Sequence, residues 1–179
     1  MRTEISISGF GGQGVILAGL LLGKAAINDN KYAVQTQSYG PESRGGAARS
    51  EVVISDQKID YPKVIEADIV VALSQPAFDK YCQNLKENTT IIIDSDLVND
   101  LGSKIYSVPF TKIADTLGKK VVANSVMLGY LQASTKVVTV ESMESTIREN
   151  VPEHTIQMNL DAFNQGIGFW NKGIKNGSG

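Results

Sequence analysis

The segment Gly9-Phe-Gly-Gly-Gln-Gly14 limits the folds open to this chain more than any other stretch. Just before it, Ile5-Ser-Ile-Ser8 alternates apolar and polar residues as a strand does, and after it Val15 to about Asn28 reads as a helix. Glycines at that spacing, between strand and helix, allow a tight turn and a close approach of ligand or backbone. They also leave the free amides of the helix start open to an anion. A strand–turn–helix unit of this kind belongs to sheets whose parallel strands are joined by crossover helices.

The remaining chain repeats the alternation. Tyr32 to Gln37 reads as a second strand and Ser50 to Ser55 as a third, with no helix between them, which implies one hairpin-like or edge excursion. Asp68-Ile-Val-Val-Ala-Leu-Ser74 is nearly continuous apolar sequence, as in a central parallel strand covered on both faces. Gln75 to Tyr81 starts a helix with Pro76 in its first turn. Thr89 to Asp94 and Ile105 to Val108 are strands, Phe110 to Leu117 is a short helix, and Val121 to Ala123 is a further strand. Asn124 or Ser125 then caps a helix through about Ala133, and Thr139 caps another with Glu141 and Glu144 near its start. Leu160 to about Asn171 closes the chain as an amphipathic helix carrying Phe163, Phe169 and Trp170. The pattern predicts one α/β domain over residues 1–172, Rossmann-like and three-layered, with a mostly parallel sheet and helices on both faces. Residues 173–179, small and polar, are expected to form a flexible C-terminal tail.

The first helix is apolar nearly all round, with Lys24 its only charge before Asp29, so it is expected to be buried on more than one side. Its own sheet covers one face, and a second subunit is a candidate for the other. Gly19 and Gly23 lie four apart and form a bare strip that another backbone can approach.

With 17 basic and 19 acidic residues the formal net charge is −2, and this balance gives no electrostatic basis for binding nucleic acid or an anionic membrane. The longest apolar run, Val15 to Leu22, is far shorter than the roughly 20 residues of a membrane span. The start of the chain has no apolar signal segment, so a cytoplasmic, reducing location is expected. One cysteine, Cys82, precludes an internal disulfide and a Cys-rich metal or iron–sulfur site within the chain; it reads as a small, partly buried helix residue.

The glycine fingerprint lacks the partner that a bound NAD requires. An acid at the end of the second strand accepts the ribose hydroxyls in dinucleotide-binding domains. Here that place holds Gln35, Thr36, Gln37 and Ser38, with no acid until Glu42. The turn therefore either packs helix against sheet or faces an anionic ligand or a partner. The next loop, Ser38-Tyr-Gly-Pro-Glu-Ser-Arg-Gly-Gly46, brings Tyr39, Glu42 and Arg44 among glycines, with Arg49 just beyond. Both loops belong to the carboxyl edge of the sheet, where open α/β sheets bind ligands; the plainer reading of Glu42 and Arg44 is a surface ion pair. No catalytic constellation is present. His154, the only histidine, reads as a surface loop residue, and Asp94 and Asp96 at a strand end suit either a metal or the cap of a following helix.

Together, Gly9-Phe-Gly-Gly-Gln-Gly14, Ser38-Tyr-Gly-Pro-Glu-Ser-Arg-Gly-Gly46 and Asn124 before a helix resemble the γ subunit of 2-oxoacid:ferredoxin oxidoreductases over about Ile5 to Trp170. The Tyr-Gly-Pro-Glu loop, followed by Arg-Gly-Gly and then Arg49-Ser-Glu-Val-Val-Ile-Ser55, is most similar to the 2-oxoglutarate branch; the pyruvate or another oxoacid branch is the alternative. The resemblance implies a complex that decarboxylates its oxoacid with thiamine diphosphate between α and β subunits. Two electrons then pass through iron–sulfur clusters to ferredoxin or flavodoxin, and coenzyme A takes the acyl group. It implies that this chain is a non-catalytic subunit binding no cofactor alone, partnered by α and β subunits and a ferredoxin-like δ subunit, and contributing to the coenzyme A site. The residues assigned to that contribution are Gly9, Gly11, Gly12, Gln13 and Gly14 of the turn, Ser38, Tyr39, Gly40, Pro41, Glu42, Arg44, Gly45 and Gly46 of the second loop, and Asn124 from a later strand. Ser43 stands where relatives carry a larger apolar residue. A free-standing nucleotide-binding reductase and a purely structural dimerisation module are the competing readings.

Overall fold

A computed structural model describes residues 1–38, 47–99 and 105–176. Strands β1 (Arg2–Phe10), β2 (Tyr32–Ser38), β3 (Ala47–Ser55), β4 (Ile69–Ala72), β5 (Thr90–Asp94) and β6 (Ile105–Val108) form one sheet in the order β2-β3-β1-β4-β5-β6. β1, β4, β5 and β6 run parallel, while β3 is antiparallel to both β1 and β2. The expected α/β architecture is present, and β2 and β3 pair antiparallel as the hairpin-like excursion that the missing helix implied, although β3 itself is not at the edge. It lies inside the sheet between the first two strands of the chain, and its Val52 and Val53 are fully buried.

Alternation decides the two faces of β1. Ile5 and Ile7 point into the main core, which α1 (Val15–Asn28), α4 (Ala123–Thr135), α5 (Val140–Asn150) and α6 (Ile156–Asn176) close with Leu21, Leu22, Leu128, Ile147 and Phe163. Glu4, Ser6 and Ser8 point the other way. That second face is thinly covered: among the described residues α2 (Gln75–Tyr81) is its only helix, packing Phe78 on Ala72 and Ile93. Glu4 is buried there with its charge matched. It takes Arg2 at 2.8 Å on one oxygen and the amides of Ile65 and Glu66 at 2.7 and 3.0 Å on the other, which pins the β3–β4 connection to the sheet. No helix among the described residues is long and apolar enough to cross a membrane.

Local signals explain the helix starts. Ser74 accepts from the Ala77 amide at the start of α2, with Pro76 in its first turn, and Thr139 accepts from the Ser142 amide at the start of α5. The Gly19–Gly23 strip of α1 faces the chain's own sheet rather than a foreign backbone. A Cβ on Gly19 would collide with Ser50 Oγ, and one on Gly23 would touch Val52 and Ala33. Leu20 and Ile27 are the large residues α1 leaves exposed.

The expected strand Val121–Ala123 is not a strand. Residues Lys120–Val122 form a turn of 3-10 helix that runs straight into α4, whose cap position is Val122 and not Asn124 or Ser125. Strand propensity of two adjacent valines needs a sheet edge to pair with. Only Val122 finds burial, while Val121 stays 65% exposed. α6 starts four residues earlier than its apolar pattern implies and runs to Asn176.

α1 and α5 are tied at Asp29. Its carboxylate accepts from the Thr139 amide at 2.7 Å, the Thr139 hydroxyl at 2.6 Å and the Ser142 hydroxyl at 2.5 Å. Burial pushes this carboxyl up, but the hydrogen bonds and nearby Lys31 outweigh it and hold the group below its ordinary value of 3.8. The folded chain thus keeps Asp29 ionised to lower pH than the unfolded chain. The stabilisation is complete above 3.8 and fades as pH falls through the lower folded value. Because the site is largely solvated, its worth is at most about 1 kcal/mol. Urea unfolding between neutral and acid pH is expected to show a shallower acid limb in Asp29→Asn than in the parent chain.

Candidate functional site

The carboxyl ends of β1, β4, β5 and β6 meet the starts of α1, α3 (Phe110–Thr116) and α4. The glycine turn is held there by Gln13. Its side-chain Oε1 accepts from the Phe10 amide at 2.6 Å, and its Nε2 donates to the Leu73 carbonyl at 2.8 Å. Both polar ends are thereby engaged by backbone, so Gln13 fixes the turn against the end of β4. Gly11 and Gly12 are exposed on the outside of the turn. Gly14 has φ +72°, and the Asn124 amide occupies the space its Cβ would take. Asn124 reaches the turn from the first turn of α4, not from a strand. Its Oδ1 accepts from the Ser125 amide at 2.9 Å, and the Ser125 hydroxyl donates to Asn159 at 2.7 Å, linking the starts of α4 and α6.

At the end of β5 the buried Asp94 accepts from the Thr111 hydroxyl at 2.6 Å and the Thr111 amide at 3.2 Å, and from the Asp96 amide at 3.1 Å. Asp96 in turn accepts from the Lys112 amide at 2.6 Å. Of the two uses open to this acid pair, the structure shows capping: both carboxylates hold the start of α3. Burial pushes the Asp94 carboxyl above its ordinary value, and the hydrogen bonds from Thr111 and Asp96 only partly offset it. Among the described residues no three His, Cys, Asp or Glu side chains gather as a metal-ion group would require.

Between these elements lies a cavity of about 380 Å3 lined by Gly12, Gln13, Leu73, Asp94, Thr111 and Lys120, with Leu97 and Val121 beside them. Val121 also borders a second hollow of about 200 Å3, which Gly14, Lys119, Asn124, Met158 and Asn159 line. The two hollows flank the point where α1 and α4 begin. Lys119 and Lys120 are exposed there and take part in no ion pair among the described residues.

The structure thus brings the first loop and Asn124 together. Ser38 lies exposed at the end of β2, paired with Arg49 and separated from β1 by β3. Tyr39, Gly40, Pro41, Glu42, Arg44, Gly45 and Gly46 lie outside the described residues. Arg49 is engaged by its own sheet face, bonding Glu51 at 2.8 Å with its guanidinium 4.8 Å over the Tyr81 ring. The inserted β3 gives a second reason, besides the missing acid, for the poor fit to a dinucleotide. Adjacent strands lie about 4.8 Å apart, so β2 ends near 10 Å from the glycine turn instead of beside it. In place of the acid, Gln35 donates to the Ile16 carbonyl and to Ser50 Oγ, at 2.9 and 2.8 Å, turning inward to α1. Lys119, Lys120, Thr111 and the Leu73–Leu97 walls had no signal in the sequence, because only the folded sheet edge places them beside the turn.

A family model described as pyruvate ferredoxin/flavodoxin oxidoreductase matches residues 4–169. The chain belongs to that family. It is 54% identical over 173 residues to the 2-oxoglutarate synthase subunit KorC of Methanocaldococcus jannaschii, covering 93% of this chain and 92% of that one. It is 37% identical to the ketoisovalerate oxidoreductase subunit VorA of Methanothermobacter thermautotrophicus, over 74% of this chain but 28% of that longer one. Among solved structures, the keto/oxoacid ferredoxin oxidoreductase gamma subunit of Geobacter sulfurreducens superposes with a TM-score of 0.85 at 42% identity, covering 95% of this chain and 99% of that one. The resemblance read from the two loops and Asn124 therefore holds at the level of family and fold.

Proposed function

We propose that this chain is the γ subunit of a cytoplasmic 2-oxoglutarate:ferredoxin (acceptor) oxidoreductase. The complex converts 2-oxoglutarate and coenzyme A to succinyl-CoA and CO2, passing two electrons to ferredoxin or flavodoxin. The observation that carries this reading is the 54% identity to a 2-oxoglutarate synthase subunit over nearly the full length of both chains. Thiamine diphosphate supplies the decarboxylation chemistry in such complexes and iron–sulfur clusters the electron path. The residues of this chain do not fit such a cluster, because a single cysteine cannot supply its thiolate ligands. Those steps belong to α and β subunits and a ferredoxin-like δ subunit. The chain's own part is to bind and orient. The amides at the start of α1, with Lys119 and Lys120 nearby, favour a phosphate-bearing ligand, and coenzyme A is the one this reaction uses. Where Gln13 and Asn124 enter, they hold the turn that would receive it.

The test is reconstitution of the complex from its subunits with and without this chain. Reduction of ferredoxin by 2-oxoglutarate is expected only in the complete complex, and an undiminished rate without the chain overturns the reading. A complete complex that oxidises pyruvate in preference places the chain in the pyruvate branch instead. Calorimetry of coenzyme A against the complete complex is expected to show weaker binding in Lys119→Glu/Lys120→Glu. Unchanged affinity would leave this edge a scaffold.

A further inference from the structure

A second surface of this chain has the composition of an interface and lies apart from the cavity at the glycine turn. Between α3 and α6 runs a groove of about 350 Å3 whose apolar residues are Pro109, Ile113 and Phe169. Lys112 and Lys172 line it as well, both exposed, and neither ammonium takes part in an ion pair among the described residues. The chain as a whole carries a formal charge of −2, so this positive charge is a local feature.

An aromatic cluster adjoins the groove. Phe169 and Trp170 pack on Tyr130 with ring centroids 6.3 and 5.5 Å apart, and Trp170 meets Tyr106 edge-on at 6.1 Å. Tyr106 remains 45% exposed and Phe169 37% exposed. Tyr106 belongs to β6, the outermost strand, and among the described residues no strand pairs with the free side of β6. Aromatic side chains bordered by long charged ones are the make-up of protein interfaces, and a contiguous apolar patch on one side of a small domain marks where another molecule sits.

We propose that this face docks the larger polypeptide of the complex, which sets carboxylates opposite Lys112 and Lys172 and an apolar side chain over Ile113 and Phe169. The inference rests on the subunit reading above. Charge complementarity selects the occupant: two ammoniums without an ion-pair partner among the described residues, beside an apolar floor, fit an acidic, partly apolar protein surface. The long ketoisovalerate relative adds a reason for such a face. A region like this chain makes up 28% of that polypeptide, so there the domain is tethered covalently to a larger body. A separate chain lacks the tether and the high effective concentration it confers, so it needs a non-covalent face of its own.

The experiment is reconstitution of the whole complex with tagged chain, its stoichiometry and affinity read by sedimentation. The variants are Lys112→Glu/Lys172→Glu, Phe169→Ala and, as a charge control, Lys58→Glu in the β3–β4 connection; thermal unfolding confirms that each is folded. The parent chain is expected to join the complex and to bind more weakly as salt rises from about 50 to about 500 mM. The double reversal is expected to weaken association by about tenfold or more and to flatten that salt dependence, with Phe169→Ala weakened and Lys58→Glu unchanged. A parent chain that joins the complex while both groove variants bind equally well overturns the proposal. Self-association of the isolated chain that the double reversal abolishes also overturns it, assigning the face to a second copy. A parent chain that joins no oxoacid oxidoreductase subunit overturns the subunit reading, and the docking proposal with it.

Discussion

Leucine in place of Gly129 or Gly166 is expected to leave the chain unable to fold. The two glycines face one another where α4 crosses α6. A Cβ on Gly129 would fall well inside contact distance of the Phe163 carbonyl oxygen, and one on Gly166 inside that of the Val126 carbonyl oxygen. The obstacles are backbone, so no rotamer change relieves them. Overfilling a core by a methylene costs about 1–3 kcal/mol even where side chains adjust. Here α4 and α6 have to separate, and α6 brings Leu160, Ala162 and Phe163 into the main core. Alanine at either position is therefore expected to cost at least about 3 kcal/mol, a large share of the roughly 5–15 kcal/mol that holds a domain together. Leucine is expected to exceed it. Gly168 supplies the opposite sign on the same helix. A Cβ there meets nothing within 4 Å, so Gly168→Ala is expected to stabilise by about 0.5–1 kcal/mol through helix propensity. Urea titration of the three alanine variants decides the matter; equal effects at Gly166 and Gly168 would refute the packing argument.

Gly14→Val is expected to destabilise the chain by about 3 kcal/mol and to disturb the candidate site at the same time. Two causes act together. The residue sits at φ +72°, where a branched side chain costs roughly 1–2 kcal/mol, and its Cβ would displace the Asn124 amide. Gly12 separates them. It has φ +95° with nothing within 4 Å of its Cβ, so Gly12→Ala is expected to pay the conformational cost alone, about 1 kcal/mol. Combining Gly14→Ala with Asn124→Gly is expected to recover the steric part. An equal loss in the presence and absence of the Asn124 side chain would show that backbone conformation accounts for the whole effect.

Much of the fold was legible from local pattern. The glycine turn between Ser8 and Val15, the apolar runs at Ile69–Ala72 and Ile91–Ile93, the Pro76 start of α2 and the Thr139 cap of α5 are all signals written within a few residues. They appear in the structure with one shift: β1 runs on through Gly9 and Phe10, which pair with Ala48 and Ala47, so the turn itself begins at Gly11. The readings that changed were those needing a neighbour. Val121 and Val122 have strand propensity but no strand to pair with, and they became the entry to α4. The bare Gly19–Gly23 strip suits the approach of another backbone, but Ser50 and Val52 of the chain's own β3 lie against it. The hairpin-like pairing of β2 and β3 follows from the missing helix, but its place in the sheet does not, because sequence order says nothing about spatial order; antiparallel pairing on both sides sets β3 inside the sheet and β2 at its edge.

The candidate site divides along the same line. Glycines, the missing acid after Gln35 and the overall resemblance to 2-oxoacid oxidoreductase γ subunits are properties of the sequence alone, because each depends on residue type at a fixed spacing. That Asn124 fills the space above Gly14, that Gln13 is held at both ends by backbone, and that Lys119 and Lys120 stand beside the turn are facts of tertiary structure. The same holds for Gly129 and Gly166, separated by a whole helix in sequence and pressed together in space. A spacing rule reaches as far as one turn or one strand. Contacts between elements are chosen by which faces must leave water together, and only the packed chain determines that.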